Sequence, residues 1–233
     1  MPKLKTTPND IQLHVRHADC LLNPQWEKLW VHNNPIESHM TNHISACIET
    51  LEDIIITAVE KAQPQITDNV LLKQTELFLQ QEASHNKLHV SFNQFLEDEG
   101  YAHISSIRTK IMQRYKSILD DDSRLEELLR LATSLEHFTG VVGHRILTLI
   151  ENNIENVNPT MAYLYGYHAT EEMEHKGVCF DCYQHVFQQH PCHTQQQRQQ
   201  WVELSDYFNE QLVFAIRYFL NTDRIQEQDN TYS

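Results

Sequence analysis

An all-α fold follows from three features of the sequence. Apolar residues recur at the three- and four-residue spacing of helix faces along most of the chain, and no stretch alternates as a strand does. Glycine occurs 5 times and proline 7 times in 233 residues, about half of ordinary usage or less, which starves a β-rich fold of tight turns. Pro35, Pro64, Gly100, Pro159 and Pro191 stand at the joins of long periodic segments, where they read as helix stops and starts. A hydrophobic content of 40% supplies one sizeable core.

Residues 1–34 carry the breaks KTTPND, LLNPQW and HNNPIE with apolar islands at Leu21, Trp26 and Trp30, the pattern of an ordered arm laid over the body. A first helix is predicted from about 36 to 62, ending at AQPQ. The second starts at Thr67–Asp68 and stops at Gly100. A shorter helix over 101–119 leads to the acidic turn DDDS, where Asp122 or Ser123 can cap a helix over 124–155. Pro159 stands in the first turn of a fifth helix that HPCH (His190, Cys192, His193) closes near 190. A sixth runs to about 221, and residues 222–233 read as a frayed, flexible tail. The domain proper is thus 35–221.

The formal charge of −14 argues against nucleic acid and anionic membrane surfaces as partners. No apolar run approaches the ~20 residues of a membrane span, and MPKLKTTPNDIQLHV lacks a signal-peptide core, so a cytoplasmic protein is expected. Five cysteines without a framework make structural disulfides unexpected; Cys179 and Cys182 form a CxxC inside a helical pattern and read as small packing residues.

Chemistry concentrates in GYHATEEMEHKGVCFD, residues 166–181. His168, Glu172 and His175 share one helix face over two turns, whereas Glu171 and Glu174 are rotated off it and read as solvated or, for Glu171 and also Asp181, as partners of the histidines. Alone this is a charged surface helix. But Glu52 falls on the stripe of Ile48, Ile55 and Val59; Glu82 and His85 share a face with Phe78, Leu79 and Phe92; and Glu136 follows Leu129, Ala132 and Thr133. Buried carboxylates persist when paired, protonated or bound to metal, since desolvating an isolated charge costs several kcal/mol or more. One Glu from each of two helices plus an ExxH from each of two others is the ligand set of carboxylate-bridged di-iron and di-manganese bundles. It predicts a ferritin-like four-helix bundle with added helices and an arm, whose metal ligands are Glu52, Glu82, His85, Glu136, Glu172 and His175. Four carboxylates would balance two divalent ions.

The segments FLQQEASHNKLH, SLEHFTG and YHATEEMEHKGVCFDCY resemble those of a bacterial family of predicted metal-dependent hydrolases, in which QExxHxxxH, LEHfT and HxxEExEHKxVxFDxY recur. CIETLEDII keeps Glu52 but lacks the Pro, Gly and Phe of that family's FPxGExxF segment. The spacing of His168, Glu172 and His175 is also similar to that of p-aminobenzoate N-oxygenase, a ferritin-like di-iron enzyme with an extra histidine ligand; this likeness makes His168 either a seventh ligand or a histidine that hydrogen-bonds a ligand. His89 is expected beside the ligands and His137 at the surface or in packing.

The function expected is a di-iron or di-manganese oxidase or oxygenase using O2 and an electron donor on a small organic molecule. Apolar side chains at Phe78, Phe138, Leu164 and Tyr165 suggest an apolar or aromatic substrate. A binuclear hydrolase, in which zinc would also serve, and an iron-handling protein are the alternatives. Gly140 and Gly143 either open a pocket or let helices pack closely, and the sixth helix and arm cover the bundle or form a homodimer surface.

Overall fold

The computed structural model describes residues 13–16, 24–188 and 195–231. Among them are seven α-helices and two short 3-10 turns: α1 (Pro35–Ala62), α2 (Asn69–Asp98), α3 (His103–Leu119), α4 (Leu125–Asn152), α5 (Pro159–His175), α6 (Val178–Phe187) and α7 (Gln195–Thr231), with the turns at Gln63–Gln65 and Asp122–Arg124. The all-α expectation holds.

Local chemistry sets the helix ends. Asn34 accepts from Glu37 N with Pro35 in the first turn, Asp68 accepts from Val70 N and Leu71 N, and Asn158 accepts from Met161 N ahead of Pro159. In the acidic turn Asp121 caps only the 3-10 turn, accepting from Ser123 N, while α4 starts after Arg124 without a side-chain cap, so neither Asp122 nor Ser123 caps it as the sequence suggested. Gly100 follows α2 at φ 93°, a left-handed conformation that a Cβ disfavours.

Two hairpins, α1–α2 and α4–α5, pack against each other, and α3 links them. Ile54, Ile55, Phe78, Phe92, Leu129, Leu135 and Leu164 fill the space between with no exposure. Helix α7 lies along α1.

Two expectations need correction. The fifth predicted helix is two: α5 stops at His175, and α6 begins at Val178 after Lys176–Gly177. Glycine's low helix propensity at 177 gives the chain a place to turn. The last helix also continues through Thr231 instead of fraying at 222, because Asp223 accepts from His39 Nε2 at 2.7 Å and from the Tyr101 hydroxyl, while Gln226 Nε2 donates to Glu99 O at 2.6 Å.

Part of the predicted arm is described. Trp30 is fully buried, stacks on Tyr165 with ring centroids 5.1 Å apart and donates its indole N–H to Thr41 Oγ1 at 2.7 Å. Val31 forms a single antiparallel bridge with Val157, and Trp26 packs against Phe92. Leu21 and the HPCH cluster of His190, Cys192 and His193 lie outside the described residues.

Candidate metal centre

The four core helices each send acidic or imidazole side chains into the bundle interior. α1 contributes Glu52, α2 Glu82 and His85, α4 Glu136, and α5 His168, Glu172 and His175; all are buried, the most exposed at 4%. The i, i+3 spacing on α2 and α5 aims both members of each pair inward.

Among the described residues two overlapping groups of donors form. Glu52, His85, His168 and Glu172 make one; Glu82, His85, Glu172 and His175 make the other. In each, one atom per residue lies within 4.8 Å of the rest. His85 and Glu172 belong to both groups. Glu136 stands outside them and accepts from His175 Nδ1 at 3.2 Å.

Hydrogen bonds orient the rings and leave other donor atoms without a partner. His85 Nε2 bonds Glu171 Oε2 at 2.8 Å, and its Nδ1, which has no hydrogen-bond partner, lies 3.8–3.9 Å from oxygens of Glu52, Glu82 and Glu172. His175 Nε2 lies 3.0 Å from Glu82 Oε1 without the alignment of a hydrogen bond. Both carboxylate oxygens of Glu52 and Glu82, and Oε1 of Glu136, lack hydrogen-bond partners. Such buried orphans are costly unless something else satisfies them. Glu172 has closer neighbours: Thr139 donates to Oε2 at 2.5 Å, and His168 Nε2 lies 2.8 Å from Oε1.

Electrostatics follow this geometry. Burial, then the surrounding carboxylates, pushes Glu52 and Glu136 well above the usual carboxylate range. Burial does the same to Glu82, with His175 opposing it. Burial would also raise Glu172, but His175 and His168 outweigh it and hold the carboxyl below its ordinary value. His85 is driven well below the imidazole range by burial and by its neighbours His168 and His175. Acids pressed toward protonation beside a neutral imidazole describe a pocket short of positive charge, which metal cations would supply.

Glu171, one reading of which was a solvated residue, is fully buried between His85 and Arg16, whose Nη1 lies 3.0 Å from Glu171 Oε1. Arg16 also grips Glu174 at 2.8 and 2.5 Å. Sequence reasoning missed Arg16, which comes from the arm 155 positions away; its only signal was a basic residue in a segment read as laid over the body. His89 is buried with its Nε2 2.7 Å from His168 Nδ1, and His137 is exposed. Cys179 and Cys182 are buried free thiols on α6, and burial pushes the Cys182 thiol up to about 12, in keeping with a packing role. A Cβ on Gly143 would meet Ala169 at 3.3 Å, so this glycine serves close helix packing.

Phe78, Leu164 and Tyr165 are buried: Phe78 stands edge-on to His175 at 4.9 Å, and Tyr165 donates its hydroxyl to Thr41 O. Phe138 stacks on Phe208. No helix among the described residues is long and apolar enough to cross a membrane.

No curated protein and no solved structure matches the chain significantly. The model of the predicted metal-dependent hydrolase family matches residues 14–232, nearly the whole chain, and the protein belongs to that family.

Proposed function

We propose that the protein is a metal-dependent hydrolase built on a binuclear centre, held by Glu52, Glu82, His85, Glu136, His168, Glu172 and His175. The observation that carries this reading is the pair of donor groups sharing His85 and Glu172 in a cluster of unsatisfied carboxylate oxygens. Family membership supports hydrolysis. Two divalent ions in such a centre would polarise an ester, amide or phosphate and lower the pKa of a water.

The chain's own residues prepare the donors. Glu171, braced by Arg16, takes His85 Nε2 and turns Nδ1 inward; Glu136 takes His175 Nδ1 and leaves Nε2 toward Glu82; Thr139 steadies Glu172. Packed aliphatic and aromatic side chains exclude bulk water.

A second reading, an O2-dependent oxidase or oxygenase using iron or manganese, draws support from the donor set itself: four carboxylates and three imidazoles without a thiolate suit those metals as well as zinc, on the two-ExxH pattern of di-iron bundles.

Metal content by mass spectrometry, on the parent and on Glu82→Ala and Glu172→Ala, comes first. About two ions per chain in the parent, lost in both variants, is expected. Cleavage of a panel of activated esters, amides and phosphates by the zinc-loaded protein without oxygen would then favour hydrolysis. Iron or manganese with O2 uptake after reduction, and no cleavage, would transfer the assignment to the oxidase. Absence of metal in a folded parent would remove both.

A further inference from the structure

His89 belongs to neither donor group, yet it ties one of them to the molecular surface. Its Nε2 faces His168 Nδ1, and its Nδ1 is 2.8 Å from Ser45 Oγ. Ser45 Oγ lies 2.8 Å from Asn93 Oδ1, and Asn93 Nδ2 lies 3.1 Å from Ser45 O and 2.8 Å from Glu49 Oε2. Glu49 ends the run on Arg108, whose Nη1 reaches its two oxygens at 2.9 and 3.0 Å. Ser45, His89 and Asn93 are fully buried, and Arg108 is partly exposed.

Each hydrogen bond in the series dictates the direction of the next. The Glu49 carboxylate, paired with Arg108, can only accept, and so can the Ser45 carbonyl. The Asn93 group facing both must therefore be the NH2; the flipped amide would set acceptor against acceptor. Asn93 Oδ1 then faces Ser45 and takes its single hydroxyl proton, so Ser45 Oγ accepts from His89 Nδ1–H. The His89 nitrogens meet Ser45 and His168, so no carboxylate contacts the ring to pair a positive charge, and the buried ring is neutral. A neutral His89 protonated on Nδ1 offers a bare Nε2, to which His168 Nδ1 must donate. His168 is left with Nε2, which lies 2.8 Å from Glu172 Oε1 and 3.3 Å from Glu52 Oε1.

We infer that Asn93, Ser45 and His89 are positioning residues that fix His168 in the form protonated on Nδ1, reserving Nε2 for a metal ion. The inference rests on the metal-centre reading above.

The test uses the full chain, 15N-labelled on histidine and loaded with zinc. Long-range 1H–15N correlation reads which His168 nitrogen carries the proton. Competition with a chromophoric chelator reads zinc affinity for the parent, Ser45→Ala, Ser45→Thr and Glu172→Ala. We expect the proton on His168 Nδ1, zinc affinity in Ser45→Ala weakened by about tenfold or more at unchanged helical content, and recovery in Ser45→Thr, which keeps the hydroxyl. Protonation of His168 on Nε2 in the loaded parent overturns the inference. So does parent-like zinc binding by Ser45→Ala while Glu172→Ala loses it, an outcome that leaves the metal centre standing. Parent-like binding by Glu172→Ala removes the metal centre and the inference together. Should Ser45→Ala fail to fold, the proton position in the parent decides alone.

Discussion

His43 shows at the scale of one residue what the interior does to a charge. It is buried on α1 with Nε2 3.6 Å from Cys47 Sγ, away from the carboxylates, and burial followed by repulsion from His103 holds its imidazole down at about 4. The unfolded chain takes up this proton from about pH 6.5 downward and the folded chain does not, so stability that is complete above pH 6.5 drains away toward pH 4. At ~1.4 kcal/mol per unit the loss is about 3 kcal/mol. A His43→Phe variant should therefore lose about 3 kcal/mol less than the parent between those pH values by urea unfolding; equal losses would absolve His43. Spacing made the ligand-type residues legible, because a one-helix argument needs only the period of the helix. Their supports were not, because Arg16 meets Glu171 from the arm and Ser45 meets His89 and Asn93 from α1, and nothing in a local window announces these meetings.

At the scale of helices, the site depends on how closely α4 and α5 approach. A Cβ built on Gly143 would lie 3.3 Å from Ala169 Cα and Cβ, whereas one on Gly140 would meet nothing nearer than Lys176 Cβ at 3.7 Å. Gly143→Val should cost about 1–3 kcal/mol by overpacking and, by parting the helices that hold Glu136 and Glu172, weaken metal binding. Gly140→Ala should be neutral or stabilise by up to about 1 kcal/mol, since alanine is the better helix former. Thermal unfolding and chelator competition on both variants check this; similar behaviour of the two would dismiss the helix-approach argument. The helix starts were readable because caps are local. The break between α5 and α6 was not, since apolar residues keep a helical period on both sides of Lys176–Gly177 and periodicity alone cannot see a change of direction.

For the molecule as a whole, a formal charge of −14 overstates what the surface presents, because Glu52, Glu82, Glu136, Glu171 and Glu172 are all interior. A divalent ion that binds only the folded chain, present at a hundredfold excess over its dissociation constant, adds about 2.7 kcal/mol per site, or a rise of about 5–10 °C for a chain of this size. Differential scanning calorimetry with zinc or manganese should show that rise in the parent and little of it in Glu82→Ala; equal rises would place the ion elsewhere. Helical periodicity and the scarcity of glycine and proline made the all-α class plain from sequence, whereas the reach of α7 past 222 depends on Asp223 meeting His39 and Tyr101 across the fold.

The bridge of Val31 to Val157, flanked by His32 N donating to Asn156 O at 2.8 Å and Asn158 N donating to Trp30 O at 2.8 Å, joins the segment leading into α1 to the one leading into α5. During synthesis the ribosome delivers Glu52, Glu82 and His85 long before His168, Glu172 and His175. The clasp cannot close until residues 156–158 have emerged. A nascent chain thus holds half a cluster and an undocked segment ahead of α1 until α5 has been made, so the full set of donors comes together only after His175 has emerged.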